Sequence, residues 1–454
     1  MERMTVKEVL EATGGRLLCG DQGTPLAHIS TDSQTAKDGD LFVPLVGERV
    51  DAHKFIGQAL AAGAAAALTA EHDAMDDVHP WIRVEDTKKA LQAIGSYCRK
   101  RLSLPLVGVT GSVGKTTTRE MVAEALSAGF RVFRTPGNKN SQVGLPITLT
   151  EISGEDEIGV LELGMSMPGE LTVIARIAQV DLAVITNVGV AHIEQLGSRE
   201  NICREKLSIQ DGLKDGGILL LNGDDPMLGR IQARAGYRTL YYGVGENCNY
   251  RAEEIRLEGG CPAFTAVCGS KRVPVRLKVM GRHHINNAMA ALAVADLYGV
   301  SLEKAAERLG GYTGFQGRQQ TFERDGVTII DDTYNASPIS MLAALEVLES
   351  IKTGGRRLAV LADMKELGDE AGRFHREIGD WLRQHPVDMV FTLGELSSVI
   401  EAGEVCLHFE AGDLDGLHGE LAKTLRPGDC VLLKGSNSMK LGEVAKRLIQ
   451  EKRE

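Results

Sequence analysis

A glycine-rich turn followed by a lysine and three threonines occurs in the segment GVTGSVGKTTT, residues 108–118. The apolar run 104–109 predicts a buried strand, and residues 116–126 predict a helix. Backbone N–H groups of such a turn, together with a helix N-terminus, bind anions. Lys115 would add a point charge, and the Thr116 hydroxyl is a suitable ligand for Mg²⁺. The turn therefore predicts a nucleoside triphosphate site, with a purely structural glycine turn as the alternative. Its expected nucleotide contacts are Gly111, Ser112, Val113, Gly114, Lys115, Thr116 and Thr117.

Two further polar residues stand where predicted parallel strands end. Glu162 lies near the end of the apolar run 158–164, and His192 follows the run 181–189. Ligands of open parallel sheets bind outside the carboxyl ends of the strands, so these side chains should meet the glycine-rich turn. A lysine, a hydroxyl, a carboxylate and an imidazole together suit phosphate and Mg²⁺. Taken singly, a solvated glutamate and an uninvolved loop histidine are the alternatives.

Lys206 lies in the middle of a predicted apolar helix face. At 100° per residue, Ile202, Lys206, Ile209 and Leu213 fall within one narrow stripe. A lysine is rarely buried without a partner, and desolvation favours its neutral form. A neutral amine can react with CO₂ to give a carbamate, which is an anionic oxygen ligand for a hard cation. The alternative is a lysine that extends to solvent or forms a simple salt bridge.

Composition excludes several classes of protein. The 454 residues carry 51 Lys and Arg against 62 Asp and Glu, a net charge of 51 − 62 = −11, which argues against a general nucleic-acid binder. Residues 1–15 lack the apolar core of a signal peptide, and no apolar run reaches the ~18 residues of a membrane span. The run 59–68 predicts a buried alanine-rich helix. The eight scattered cysteines form no CxxC pair, so we expect reduced thiols in a cytoplasmic protein.

Alternating strands and helices divide the chain into three predicted α/β domains, 1–100, 101–313 and 314–454. The apolar strands of the second domain predict a parallel sheet that is covered on both faces. Between residues 240 and 280 the helices stop, and the pattern predicts an antiparallel segment. The third domain again alternates, which is typical of a second doubly wound sheet. Its first turn, DDTYNASP at 331–338, is not a G-x-G-x-x-G turn, so a dinucleotide is not expected there.

Several motifs together resemble the Mur ligase family along essentially the whole chain. They are GVTGSVGKTTT (108–118), TPGNKNSQVGLPITL (135–149), LELGMSMPGE (161–170), NVGVAHIEQLGSRENICREK (187–206), GRHHINNAMAALAVA (281–295), GRQQ (317–320), DDTYNASP (331–338) and LADMKELGDEAGRFHREIG (361–379). The resemblance implies a small mixed α/β N-terminal domain for a UDP-linked substrate, a central ATP-binding domain and a C-terminal Rossmann-like domain.

The resemblance also implies the activity, that of an ATP-dependent amide ligase. A substrate carboxylate would attack the γ-phosphate, and an amine would then displace phosphate from the acyl phosphate. The asparagine-rich stretch and the YNASP turn favour the family member that adds D-alanyl-D-alanine to UDP-N-acetylmuramoyl-tripeptide for peptidoglycan synthesis. By this analogy Thr116 and Glu162 hold one Mg²⁺, while His192 and a carbamylated Lys206 hold a second. Lys115, Lys206, His192 and Arg318 would form the catalytic set of a monomeric enzyme with no nucleic-acid or membrane partner.

Other positions are assigned by the same resemblance, and the alternatives are a helix cap for Asn287, a surface arginine for Arg318 and a turn role for the substrate positions 31–33, 138 and 140. Asn287 would lie beside the adenine, and Arg318 would reach the γ-phosphate as the domains close. Asp332 and Tyr334 would contact nucleotide. The substrate positions would be Thr31, Asp32, Ser33, Asn138 and Asn140, with Lys434 and Ser436 as weaker candidates near the dipeptide. In the third domain, Ser337 and Pro338 also fit the N-cap and first position of a helix.

Four residues depart from the family pattern and leave substrate detail open: Gln34, His284, Ile339 and Asn437. Gln34 stands in place of an arginine, so the bidentate contact that an arginine would make with an anion is lost there. Two other hypotheses remain at this point. One is a sister Mur ligase or a folylpolyglutamate-type ligase adding another amino acid, and the other is a non-catalytic nucleotide-binding paralogue. The complete set of metal and phosphate residues favours an enzyme over the paralogue.

Overall fold

Three large β-sheets, each formed by a successive part of the chain, organise the structure. This computed structural model describes residues 4–73, 78–402 and 405–450. The fold is α/β with mainly parallel strands, which confirms the class predicted from the alternating pattern. No helix within those described ranges is long and apolar enough to cross a lipid bilayer.

Short strands and helices make up the first unit. Its elements are β1 (Met4–Thr5), α1 (Val6–Thr13), β2 (Arg16–Cys19), β3 (Pro25–Leu26), β4 (Ile29–Ser30), β5 (Leu41–Phe42), α2 (Ile56–Ala61), β6 (Ala66–Thr69), β7 (Trp81–Arg83) and α3 (Thr87–Arg101). The main sheet has the order β2-β7-β6-β5-β4, and β1 pairs with β3. The Asp86 side chain caps α3 by accepting a hydrogen bond from the Lys89 N–H at 2.9 Å, as expected of an N-cap aspartate.

The alanine-rich stretch 59–68 is not a single buried helix, so that prediction was wrong. α2 ends at Ala61, and β6 begins at Ala66. Gly63 lies between them at φ +114°, a conformation that glycine adopts without steric cost and that ends the helix. An apolar alanine run does not by itself distinguish a buried helix from a buried strand.

The second unit contains the longest sheet and the predicted phosphate loop. Its elements are β8 (Leu106–Thr110), α4 (Lys115–Leu126), β9 (Val132–Arg134), α5 (Gly144–Glu151), β10 (Ile158–Glu162), α6 (Glu170–Ala178), β11 (Leu182–Ile185), α7 (Ile193–Leu196), α8 (Arg199–Leu207), β12 (Ile218–Asn222), β13 (Arg238–Gly243), β14 (Tyr250–Glu258), β15 (Cys261–Cys268), β16 (Lys271–Arg276), α9 (His284–Leu297) and α10 (Leu302–Gly311). The sheet order is β16-β15-β14-β13-β12-β11-β8-β10-β9. It is parallel from β9 to β14, and the predicted antiparallel strands extend its edge.

Both faces of the central sheet are buried, as its near-continuous apolar strands predicted. In β8, Val107 and Val109 join the hydrophobic core that includes α4 and α9, while Leu106 joins the core on the opposite face. In β10, Val160 joins the first of these cores and Leu161 joins the second. Successive residues of a strand point to opposite faces of the sheet. Because both faces are buried, polar side chains that react with a ligand must lie at the ends of the strands.

The third unit is a six-stranded sheet in the order β17-β18-β22-β19-β20-β21. Its elements are β17 (Gln320–Arg324), β18 (Val327–Asp332), α11 (Pro338–Ser350), β19 (Arg357–Ala362), α12 (Ala371–Gln384), β20 (Met389–Leu393), β21 (Cys406–Phe409), α13 (Leu414–Thr424), β22 (Cys430–Lys434) and α14 (Leu441–Gln450). Only the β17–β18 pair is antiparallel among these described strands. Ser337 is the N-cap of α11 and Pro338 its first residue, as predicted.

The second and third units pack against each other near the carboxyl ends of their strands. Val190, in the loop after β11, packs against the hydrophobic core of the third unit. Helix α7 contacts a one-turn 3₁₀ helix at Gly368–Glu370. This packing brings loops of both units to one cavity.

Candidate active site

A cavity of about 670 Å³ lies where the loops after β8, β10 and β11 face the third unit. Most of the predicted nucleotide and metal residues line it: Ser112, Val113, Gly114, Lys115, Thr117, Glu162, His192, Asn287, Arg318, Asp332 and Tyr334. The candidate substrate residues Asn140, Lys434 and Ser436 also line it. Residues more than 300 positions apart in the sequence thus share one cavity, because both parallel sheets direct their carboxyl ends toward it.

The phosphate loop has two glycines at positions that exclude a side chain. Gly111 has φ +151°, and a Cβ there would lie 1.8 Å from the Thr186 hydroxyl. Gly114 has φ +84° and is the N-cap of α4, facing the Asn287 side chain. The first turn of α4 leaves its backbone N–H groups without intrahelical partners. A helix N-terminus of this kind is suited to binding an anion.

Two asparagines hold the phosphate loop from different elements. Asn187 accepts a hydrogen bond from the Val113 N–H at 2.9 Å and donates one to the Val113 carbonyl at 2.9 Å. Asn287, on α9, accepts from the Thr118 hydroxyl at 3.1 Å. Sequence reasoning missed Asn187, although its place directly after an apolar strand was a usable signal. Asn287 supports the start of α4 and also lines the cavity, and its predicted place beside the adenine stays a prediction.

Lys115 folds its side chain back over the loop. Its Nζ donates to the carbonyls of Gly111 at 2.8 Å and Ser112 at 3.3 Å. Burial lowers the pKa of Lys115, and the neighbouring Arg318 cation lowers it further, while Glu162 opposes both. A phosphate anion beside this lysine would favour its charged form and oppose that lowering.

Lys206 is buried on α8, as the stripe predicted. The residue is 2% exposed, and Ile202 and Ile209 are fully buried beside it. Burial lowers the pKa of Lys206 well below its ordinary value, and the Lys115 ammonium lowers it further. Among the described residues, no hydrogen bond or ion pair holds its Nζ, and none joins it to Glu162 or His192. Lys206 does not line the cavity in this structure, but its amine is near enough to Lys115 for the two ammonium charges to repel each other.

Glu162, at the end of β10, has both carboxylate oxygens held by the protein. Asn140 donates to Oε1 at 2.7 Å, and Arg119 donates to Oε2 at 3.2 Å. The Thr135 hydroxyl accepts from the Glu162 backbone N–H at 3.0 Å. Because a carboxylate has about four lone-pair directions, the two donors leave room for a cation. The donor chemistry, a fixed carboxylate together with the Thr116 hydroxyl of the phosphate loop, fits a hard divalent ion.

The third unit contributes cations and a carboxylate to the cavity. Arg318 donates to the Thr116 hydroxyl at 3.2 Å, and its Cζ lies 3.9 Å from the centre of the Tyr334 ring. Lys434 and Asp332, paired neighbours on β22 and β18, form a buried ion pair of 2.7 Å. Burial raises the pKa of Asp332, and the Lys434 ammonium opposes that rise.

His192 is the N-cap of α7 and has a left-handed backbone at φ 63°. Its Nδ1 lies 2.7 Å from Oε2 of Glu366, a residue of the third unit that sequence reasoning did not single out. The contact with His192 lowers the pKa of Glu366, and Lys115 contributes in the same direction. The sequence signal for Glu366 was its place in the segment 361–379, which is one of the motifs that resemble the family.

Two adjacent histidines line the cavity at the start of α9. The rings of His283 and His284 lie 4.2 Å apart, and Nε2 of His284 lies 3.3 Å from the Gln319 side-chain oxygen. Nδ1 of His284 lies 3.3 Å from the Asn287 amide nitrogen. Burial lowers the pKa of His283 to about 4 and that of His284 well below its usual value. Both rings are thus neutral near pH 7.

The structure does not bring every predicted site residue to the cavity. Of the predicted nucleotide and metal residues, Gly111, Thr116 and Lys206 do not line it. The first-unit residues Thr31, Asp32 and Ser33 also lie outside it, as does Asn138. Asp32 accepts from the Gln34 N–H at 2.9 Å, which is the local turn contact weighed as the alternative. Their role in substrate binding stays a prediction.

A parallel sheet with a phosphate loop, joined across a shared cavity to a second parallel sheet, defines a nucleotide-dependent enzyme. Three family models match the chain: "Mur ligase family, catalytic domain" over residues 25–97, "Mur ligase middle domain" over 109–295 and "Mur ligase, glutamate ligase domain" over 317–437. The chain belongs to the Mur ligase family.

Relatives match over nearly the full length. The chain is 38% identical to the UDP-N-acetylmuramoyl-tripeptide--D-alanyl-D-alanine ligase of Bacillus subtilis, with 99% of each chain covered. Its structure is similar to that of MurF from Acinetobacter baumannii, with a TM-score of 0.90, 32% identity and coverage of 99% of this chain and 100% of that one. MurF from Thermotoga maritima, solved in complex with ADP, gives a TM-score of 0.82 at 31% identity, covering 93% and 97%.

Proposed function

We propose that this protein is an ATP-dependent ligase that joins D-alanyl-D-alanine to UDP-N-acetylmuramoyl-tripeptide, giving the pentapeptide precursor of peptidoglycan. The observation that carries the proposal is the meeting of Lys115, Glu162 and Arg318 at one cavity between two units. The named relatives support the choice of substrates. We assign the UDP-linked substrate to the domain 1–100, ATP to 101–313 and completion of the site to 314–454, in a cytoplasmic monomer.

The chain's own side chains would serve the reaction by positioning and by charge neutralisation. The tripeptide carboxylate attacks the γ-phosphorus of ATP, ADP leaves, and the acyl phosphate then loses phosphate to the incoming amine. Lys115 and Arg318, which line the same cavity, would offset the negative charge that builds up on the transferred phosphoryl group. Arg318 contacts Thr116 of the phosphate loop. Its contribution to charge neutralisation therefore depends on the docking of the third unit.

Two magnesium ions belong to the proposal, and the chemistry of the donor set supports them. Thr116 and Glu162 would hold one, and His192 with Lys206 as a carbamate would hold the other. When bound, Mg²⁺ supplies positive charge to the phosphate oxygens. The carbamate is supported by the burial of Lys206 and by its lowered pKa, which together favour a neutral amine able to add to CO₂.

Phosphate release is the direct test of the proposed function. The purified chain is incubated with ATP, Mg²⁺, UDP-N-acetylmuramoyl-tripeptide and D-alanyl-D-alanine, and each substrate is omitted in turn. Phosphate release that needs both substrates, with a pentapeptide product of the expected mass, supports the proposal. Turnover with a single amino acid in place of the dipeptide indicates a sister ligase, and binding of ATP without any turnover indicates a non-catalytic paralogue.

A further inference from the structure

His192 and Glu366 meet at the boundary between the second and third units. Nδ1 of His192 lies 2.7 Å from Oε2 of Glu366, and both residues line the cavity. That nitrogen is shielded from solvent and has no aligned hydrogen-bond partner among the described residues. The negative charge of the Glu366 carboxylate at this nitrogen favours the tautomer that carries the ring proton on Nδ1.

Both residues have a backbone conformation that is unfavourable for any residue other than glycine. His192 and Glu366 each have φ 63°, in the left-handed region. That conformation costs about 1 kcal/mol or more at a non-glycine residue, and such residues cluster at functional sites. Their contact is partly open to solvent, with the Glu366 side chain 47% exposed, and a partly exposed polar contact contributes at most about 1 kcal/mol. Stability alone does not account for the pair, whereas the placement of two side chains at the cavity does.

Glu366 is also carried on a firmly held loop. The Met364 N–H donates to Nε2 of His375 at 3.0 Å, and the Lys365 N–H donates to the Ser436 hydroxyl at 2.9 Å. His375 is fully buried and Ser436 is 4% exposed. The loop is thus fixed immediately before Glu366, so the carboxylate reaches His192 from a rigid support.

We propose that Glu366 is a positioning residue for the ligase reaction. Its carboxylate keeps the ring proton of His192 on Nδ1, which leaves the Nε2 lone pair available to the cavity. A carboxylate that fixes the tautomer of a functional histidine in this way is a common arrangement. Because Glu366 belongs to the third unit, His192 is oriented only when that unit docks. The inference rests on the proposed function and names a residue that completes its site.

A double-mutant cycle tests the kinetic part. Glu366→Gln should lower kcat by about 10- to 100-fold, the usual effect of losing such a partner, with the KM for ATP unchanged. In a His192→Ala background the same change should cost less than about twofold, since Glu366 acts through that ring. Losses that multiply in the double variant would overturn the proposal. Glu370→Gln is the matched control, because Glu370 pairs with the exposed Arg373 and should leave kcat unchanged.

A spectroscopic readout separates this proposal from the proposed function, because it needs no turnover. Two-bond ¹H–¹⁵N spectra of histidine-labelled protein, with His192→Ala to assign the signal, should show His192 as the Nδ1–H tautomer. Glu366→Gln should shift that signal toward the other tautomer, while Glu370→Gln should not. If the tautomer is held but no dipeptide-dependent turnover occurs, the proposed function fails and the positioning role stands. An Nε2–H tautomer in the wild type, or no change in Glu366→Gln, would refute the role.

Discussion

The Arg119 guanidinium and the Glu162 carboxylate form an ion pair of 3.2 Å inside the protein, with side-chain exposures of 0% and 3%. Arg119 also donates to the Gly137 carbonyl at 2.8 Å and pairs with Glu120. Its Cζ lies 5.3 Å from the Phe315 ring, in the segment that leads to the third unit. One buried cation therefore holds the carboxylate of the site and contacts the connection between two units.

Arg119→Met should destabilise the protein by about 3–5 kcal/mol, because it leaves the buried Glu162 carboxylate without its cation and leaves Glu120 with Arg134 alone. Arg119→Lys keeps the charge and should cost less. Urea unfolding of the three proteins at pH 7 measures the difference. A free energy of unfolding for Arg119→Met within about 1 kcal/mol of the wild type would show that the carboxylates find other partners.

Lys206→Met should abolish turnover while leaving the fold intact. Methionine fills a similar volume, and replacing an unpaired buried amine by an apolar side chain does not lower stability. In Lys206→Ala, short carboxylic acids should partly restore phosphate release if the functional group is a carbamate. Melting temperatures serve as the control for folding. Near-normal turnover of either variant without additives would contradict the assigned role.

Lys115→Ala should prevent formation of the acyl phosphate, since it removes the cation of the phosphate loop. We expect a loss of at least about 100-fold in the rate of that step, comparable to the loss of a single stabilising group in other sites. Trapping the acyl phosphate with hydroxylamine measures the first half-reaction without the dipeptide. A normal yield of trapped product would mean that ATP binds in another orientation or at another place.

Acidification below pH 6.5 should destabilise the protein through His283. Burial lowers the pKa of this ring to about 4, whereas an unfolded histidine titrates near 6.5. Between these values the unfolded chain binds the extra proton, so stability rises with pH and is lost as the pH falls. From pH 6.5 to 5 the loss is about 2 kcal/mol from this residue.

Urea unfolding of the wild type and of His283→Asn at pH 7 and pH 5 measures that contribution. The variant should lose about 2 kcal/mol less than the wild type on acidification. Carboxylates respond to pH in both proteins, so the difference between them isolates the histidine. Equal losses would show that His283 is not held neutral by burial.

The phosphate loop and the buried lysine could be predicted from the sequence because their signals are local. Glycine spacing before a helix marks the anion site, and a charged residue inside an apolar stripe marks a buried amine. The family resemblance added the substrate classes. The alanine-rich stretch shows the limit of such reasoning, since Gly63 divides it into a helix and a strand.

Only the tertiary structure revealed the groups that hold these residues. Arg119, Asn187 and Glu366 act on partners that are 43, 74 and 174 positions away (162 − 119, 187 − 113 and 366 − 192). Their types and neighbours in sequence resemble those of ordinary polar residues, so no periodicity distinguishes them. The sequence by itself determined which chemistry the chain carries, because spacing along one element is local. The packing of two sheets decided how that chemistry is oriented, because an orientation depends on contacts between distant parts of the chain.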